Sequence, residues 1–115
     1  MSHKGRKRKE AKRQARAMVF AALGDETRLL LVSRLSAGEP RSIAELTDGS
    51  SLTRQAITKH LRVLERAGVV RSKREGRESR FAFDPRPIDE LHEYLDRVSR
   101  RWDETLARLK LFVEE

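Results

Sequence analysis

Thr53 to Gly68, TRQAITKHLRVLERAG, carries the pattern that decides the fold. Ile57, Leu61 and Leu64 recur at i, i+4 and i+7, the spacing of one buried helix face. Arg54, Gln55, Thr58, Lys59, Arg62 and Arg66 occupy the remaining surface, and such side chains can reach a base edge or a phosphate oxygen. Thr53 suits the N-cap, where its hydroxyl can accept an unpaired N–H of the first turn. Gly68 suits the position just past the end, because it tolerates the left-handed conformation that closes a helix. Alone, this is a helix with one core face and one solvated basic face. Its neighbours change that reading.

Upstream, a helix is expected from about Gln14 to Leu23, ended by Gly24. Asp25 then caps a second helix, ETRLLLVSRLSA, with Leu30, Leu31 and Leu35 as its buried stripe and Gly38 and Pro40 as its stop. A short third helix from about Ser42 to Thr47 turns Ile43, Ala44 and Leu46 inward. Asp48-Gly49-Ser50-Ser51 is a turn, and Leu52 plugs the core before the Thr53 helix. Downstream the period changes to two. Residues 69–74 and 78–83 read as two short strands joined through Gly76. A two-stranded ribbon is not stable alone, so it packs on the helices through Val70, Phe81 and Phe83. After Asp84-Pro85-Arg86-Pro87 a long helix covers about 87–113, with Pro87 at its first position. Ile88, Leu91, Leu95, Val98, Trp102, Leu109 and Phe112 form a heptad seam broken at Thr105. At about 1.5 Å per residue this helix is roughly 40 Å long, longer than the other helices can cover. Part of the seam therefore needs a partner, most simply a second copy of the chain.

Charge follows the same division. The 115 residues carry a net charge of +8. Residues 1–16 hold eight Lys/Arg and one Glu, and residues 54–80 hold nine Lys/Arg and three Glu, so the rest is net acidic. Positive charge confined to a tail and one central block points to a polyanion, most simply nucleic acid. Residues 1–13 are too polar to bury anything and are expected to be a disordered basic tail, either an arm on phosphates or a merely solvated segment. The folded domain is then 14–115. With no cysteine there is no disulfide, thiolate metal site or cysteine nucleophile. No apolar run approaches the roughly 18–20 residues that span a bilayer, and no apolar signal core follows the basic N-terminus. A cytoplasmic protein without membrane partners is the expectation. No acid/base dyad, activated nucleophile or phosphate-cradling glycine loop is visible, so no enzyme is expected.

A short helix, a tight turn and a helix with a polar N-terminal half make a helix-turn-helix, whose second helix enters a major groove about 12 Å wide. The basic ribbon beside it is a wing. The fold class is mainly α with a two-stranded β wing. Arg54, Gln55, Thr58 and Lys59 face the groove: Arg and Lys suit guanine, Gln suits adenine, Thr suits a thymine methyl. Arg62, one turn later, is a phosphate contact, and Thr53 with Ser50 and Ser51 can hold the backbone. Lys73, Arg74 and Arg77 form the wing contacts. Arg80 either joins them or pairs with Glu75 or Glu78. His60 either donates to a phosphate or packs beside Ile57 and Leu64 with a hydrogen bond to the chain.

GDETRLLLVSRLSAG, then IAELT, then LTRQAITKHLRVLERAGVVRSKREGRESRFAFDP resembles the ArsR-type winged helix-turn-helix repressors of bacteria and archaea over about residues 17–112. The resemblance implies a homodimer built from the first and last helices, which places Met18 and Val19 with Leu91, Leu95, Val98, Trp102, Leu109 and Phe112 at the interface. It also implies double-stranded DNA as partner, a palindromic operator often near the protein's own gene, and release by an effector. Metalloid sensors of the family carry cysteines in the short helix, where this chain reads IAELTDG. Other members hold zinc-like ions on the last helix. Asp89, His92, Glu93 and Asp96 come nearest, but the second histidine is absent from SRRWDETL at 99–106. No metal and no cofactor are therefore expected, and the resemblance is to the cysteine-free branch with an unknown effector. A metal-sensing repressor, a non-specific nucleoid- or RNA-associated protein, and a winged-helix module for an acidic protein are the alternatives.

Overall fold

The structure is a computed structural model that describes residues 3–114. Met1 and Ser2, at the tip of the expected tail, and Glu115, at the end of the expected domain, lie outside the described residues. Helix α1 (His3–Leu23) is continuous and buries only Val19 and Ala22. The expectation of disorder up to residue 13, with a helix starting near Gln14, is thereby corrected. From His3 to Met18 the chain is built mainly of Lys, Arg, Glu, Gln and Ala, with no proline and no β-branched residue. That composition favours helix locally even where nothing is buried.

Helix α2 (Glu26–Ser36) starts at Asp25, whose Oδ2 accepts the Arg28 N–H at 3.0 Å. It buries Leu31, Val32 and Leu35. Leu30, expected in that stripe, is 63% exposed: at about 100° per residue, a face centred on Leu31, Val32 and Leu35 turns Leu30 outward. A strand that the sequence pattern does not reveal follows. β1 (Arg41–Ser42) pairs antiparallel with β3, Arg41 opposite Phe81 and Ser42 opposite Arg80. The sheet is therefore three-stranded, in the order β1-β3-β2. Two residues are too few to show alternation, so only the tertiary pairing reveals β1.

Helix α3 (Ile43–Thr47) opens with a capping box: Ser42 Oγ accepts the Glu45 N–H, and Glu45 Oε1 accepts the Ser42 N–H, both at 3.2 Å. After a turn comes α4 (Arg54–Arg66), which buries Ile57, Leu61 and Leu64 as its spacing requires. Gly68 closes it at φ 81°. β2 (Val70–Glu75) and β3 (Glu78–Phe83) form the wing, turned by Gly76 at φ 62°. Helix α5 (Arg86–Glu114) begins one residue before the expected Pro87, because Asp84 Oδ1 accepts the Arg86 N–H at 3.1 Å and fixes the first turn.

Phe81, Leu46, Ile57, Leu61, Leu64, Val69 and Val70 are fully buried at the centre, each worth about 1.5–3 kcal/mol of burial. They hold α4 and the wing on one platform. Much of α1 and α5 lies outside that platform. The radius of gyration is 18.5 Å, against about 13 Å for a compact chain of this length.

Candidate nucleic-acid interface

The recognition helix is set by its turn. Gly49 takes φ 78°, Ser50 Oγ accepts the Leu52 N–H at 3.1 Å, and Leu52 packs against the core. Thr53 Oγ1 then accepts the Ala56 N–H at 3.1 Å as N-cap. From α2, Arg34 donates to the carbonyls of Leu46 at 2.8 Å and Glu45 at 3.3 Å, a cation at the C-terminal end of α3 where exposed carbonyls and the helix dipole favour it. The helix before the turn is thus held by Ser42 and Glu45 at its start and by Arg34 at its end.

Along α4, Arg54, Gln55, Lys59 and Arg66 are exposed. Their side chains engage no other described residue in a hydrogen bond or ion pair. Thr58 is half-buried and its hydroxyl donates to the Arg54 carbonyl at 2.7 Å, so its methyl group is what it chiefly offers a base. Arg62 is placed differently from its neighbours. Its NH1 donates to Glu65 Oε1 at 2.7 Å and its guanidinium lies 5.8 Å from the Phe81 ring centre. The other oxygen of Glu65 accepts the Ser72 hydroxyl. Those bonds, Ser72 first and Arg62 after, hold the Glu65 carboxyl below the usual carboxylate range. Glu65 thus ties the last turn of α4 to β2, and Arg62 is half committed to that tie.

On the wing, Lys73, Arg74 and Arg77 are exposed near the tip, with Arg74 Nε 3.4 Å from the Gly76 carbonyl. Arg80 takes the ion-paired role. It reaches Glu45 and Glu75 at 3.2 Å and Glu78 at 3.8 Å, linking the wing to α3. Each such exposed pair is weak singly, but three carboxylates on one guanidinium fix its direction. At the base of the wing, Arg71 and Arg86 both bond Asp84, at 2.8 and 2.7 Å. They hold its carboxyl well below the usual range, Arg86 first.

His60 faces inward. Its Nδ1 lies 3.2 Å from Arg28 NH1 and 3.8 Å from Asp25 Oδ2. Arg28 also donates to the carbonyls of Ala22 at 2.7 Å and Ala21 at 3.3 Å, the C-terminal end of α1. Neither Arg28 nor Arg34 is among the functional residues expected from sequence. An arginine in a helix pattern reads as surface charge, and nothing in the sequence reports that a neighbouring helix ends beside it.

The expected interface helices divide. Val19 and Leu91 are buried in the chain's own core, which corrects their assignment to the dimer seam: α1 and α5 cross there, so the seam's first turn is already covered. Met18, Trp102, Leu109 and Phe112 are 48–77% exposed, Leu95 is 37% exposed and Val98 half-buried. Phe20, Leu106, Leu111 and Val113 are exposed with them. Leu106, one turn after Trp102, fills the break at Thr105. On the same helix His92 Nδ1 lies 3.6 Å from Asp96 Oδ2, both well exposed. Among the described residues no group of three or more His, Asp or Glu could hold a metal ion. No described helix is long and apolar enough to cross a membrane.

A short capped helix, a turn, an amphipathic basic helix and a basic β-ribbon on one core define a winged helix-turn-helix DNA-binding protein. A helix-turn-helix domain model matches residues 16–73. An uncharacterised helix-turn-helix transcriptional regulator of Bacillus subtilis, YuzN, is 44% identical over 79 residues, covering 64% of this chain and 86% of that protein. An ArsR-like transcriptional regulator from Rhodococcus superposes with a TM-score of 0.73 at 34% identity, over 89% of this chain and 95% of the other. The homodimeric winged helix-turn-helix DNA-binding domain of Mb0332 from Mycobacterium bovis shares the fold, with a TM-score of 0.67 at 22% identity over 91% and 93% of the chains. The chain belongs to the ArsR-type winged helix-turn-helix transcriptional regulators.

Proposed function

We propose that the protein is a homodimeric, sequence-specific repressor that binds a palindromic operator near its own gene and is released by a non-metal effector. The observation that carries the DNA reading is the exposed row Arg54, Gln55 and Lys59 at the N-terminal half of α4, unengaged by the rest of the described chain and flanked by Lys73, Arg74 and Arg77 on the wing. Arg54, Gln55, Thr58 and Lys59 read base edges. Thr53, Arg62 and the wing cations hold phosphates. Dimerisation is supported by the apolar stripe of α5 from Leu95 to Val113, which the chain leaves exposed in water. In the dimer Met18, Leu95, Val98, Trp102, Leu109 and Phe112 pack across the two-fold, and Leu106 and Val113 join them.

Quantitative gel shift on DNA flanking the protein's own gene tests the reading. The expected result is a complex that survives about 150 mM salt and resists excess random duplex. Binding no tighter than to random duplex would refute it, since phosphate contacts alone are weak at that salt.

A further inference from the structure

The first half of α1 is built unlike anything else in the molecule. Lys12 and Ala15 face Pro87, Glu90 and Leu91 across a groove, and Arg16 and Phe20 lie against the Tyr94 ring. Residues 3–11 precede these and extend the helix by about 14 Å. All of them except Gly5 are exposed. Lys4, Arg6, Lys7, Arg8, Lys9, Lys12 and Arg13 stand against one acid, Glu10. Because the cations are nearly consecutive, successive steps of about 100° spread them over every side of the helix. No apolar face remains with which to pack on a protein or lie in a lipid interface.

The charge pattern also works against the helix. Lys4–Arg8, Arg8–Lys12 and Lys9–Arg13 are like charges at i, i+4. There is no acidic residue in the first turn, where the helix dipole favours one. With Glu10 as its one acid, the rod carries a large net positive charge, and a regularly spaced polyanion would balance it. If α4 and the wing bind duplex DNA as proposed above, its phosphate backbone is a polyanion of that kind already in the complex.

We propose that residues 3–13 form a helical, sequence-independent clamp on the phosphates of duplex DNA flanking the stretch read by α4. This rests on the DNA-binding reading above and adds to it a second contact that strengthens binding without choosing the sequence. It also predicts that DNA strengthens the arm's helix, which is formed without it.

The test is fluorescence anisotropy of the full chain on its preferred duplex and on random duplex over a range of salt. Wild type is compared with a variant in which Lys4, Arg6, Lys7 and Arg8 are all changed to Gln. These side chains lie outside the core, so thermal unfolding of the two proteins should coincide and certify the fold. The expected result is affinity lower by at least about 10-fold on both duplexes, an unchanged ratio between them, and a salt slope reduced by about 0.9 for each phosphate that the variant leaves unneutralised. Amide exchange over residues 4–11 should slow when duplex is added. Equal affinity and slope in variant and wild type would overturn the clamp while leaving the recognition reading intact. A wild type with no sequence preference would instead defeat that reading. Equal slowing of exchange by polyglutamate would overturn the assignment to DNA.

Discussion

Arg28 NH1 lies 3.2 Å from His60 Nδ1. Arginine has only donors to offer, so in this contact the histidine nitrogen is the acceptor. With its other nitrogens on the Ala21 and Ala22 carbonyls, Arg28 joins the end of α1 to the middle of the recognition helix. The helix proposed to set the dimer and the helix proposed to read DNA are thus held by one side chain.

Arg28→Ala removes the donor from the Ala22 carbonyl and the His60 nitrogen, while the Ala21 carbonyl keeps the Gly24 N–H at 3.2 Å. The expected loss is about 1–3 kcal/mol in urea unfolding, together with weaker operator binding. Arg28→Lys restores a charge but not the fork that spans the two helices, and should recover little. Full recovery by lysine would show that only charge matters at this joint.

Arg54 and Arg62 should differ on DNA. Arg54→Ala is expected to cost about 1–3 kcal/mol of discrimination at one base position. Arg62 is shared with Glu65 and Phe81, so Arg62→Ala should weaken all sequences alike, and by less. Binding to a panel of single-base operator variants separates the two.

Trp102 is 54% exposed on the unpaired stripe of α5. Trp102→Glu puts a charge into the proposed seam. Light scattering should report a dimer for wild type and a monomer for the variant, and the variant should lose most of its operator affinity while its circular dichroism is retained.

The acid side of the stability profile follows from Asp84, Glu65, Glu45 and Asp25, all held below their ordinary range by hydrogen bonds and cations. A carboxyl with a depressed folded-state pKa stabilises fully above its unfolded value of about 4. That contribution is lost as pH falls through the folded value. The melting temperature should therefore begin to drop near pH 4 and keep dropping toward pH 2. Asp84→Asn should lower it at pH 7 and narrow the gap to wild type at pH 2.

The parts of this molecule written in local periodicity are legible in its sequence. Ile57, Leu61 and Leu64 announce α4, Thr53 and Gly68 mark its ends, and Gly76 marks the wing turn. What the sequence hides is written in distance. β1 exists only because Arg41 and Ser42 meet Phe81 and Arg80, some forty residues on. Arg34 and Arg28 matter because helices end beside them, and Glu65 because Ser72 comes back to it. The basic N-terminus misleads for a different reason. Lack of anything to bury argues against a core, but not against a helix made of helix-forming residues. Of the candidate DNA contacts, Arg54, Gln55, Lys59, Lys73 and Arg77 stand exposed on the helix and wing that their spacing predicts. Arg62 is partly engaged elsewhere, and Val19 and Leu91 belong to the core.

The central claim is that two copies of α4 are held at a fixed separation, about 34 Å or one helical turn of DNA for adjacent half-sites. Titrating the protein against its preferred duplex, and against the same duplex with five base pairs inserted between the half-sites, tests it most directly. The insertion should weaken binding by at least about 10-fold, because it rotates one half-site to the far side of the helix. Equal affinity for the two duplexes would contradict the claim.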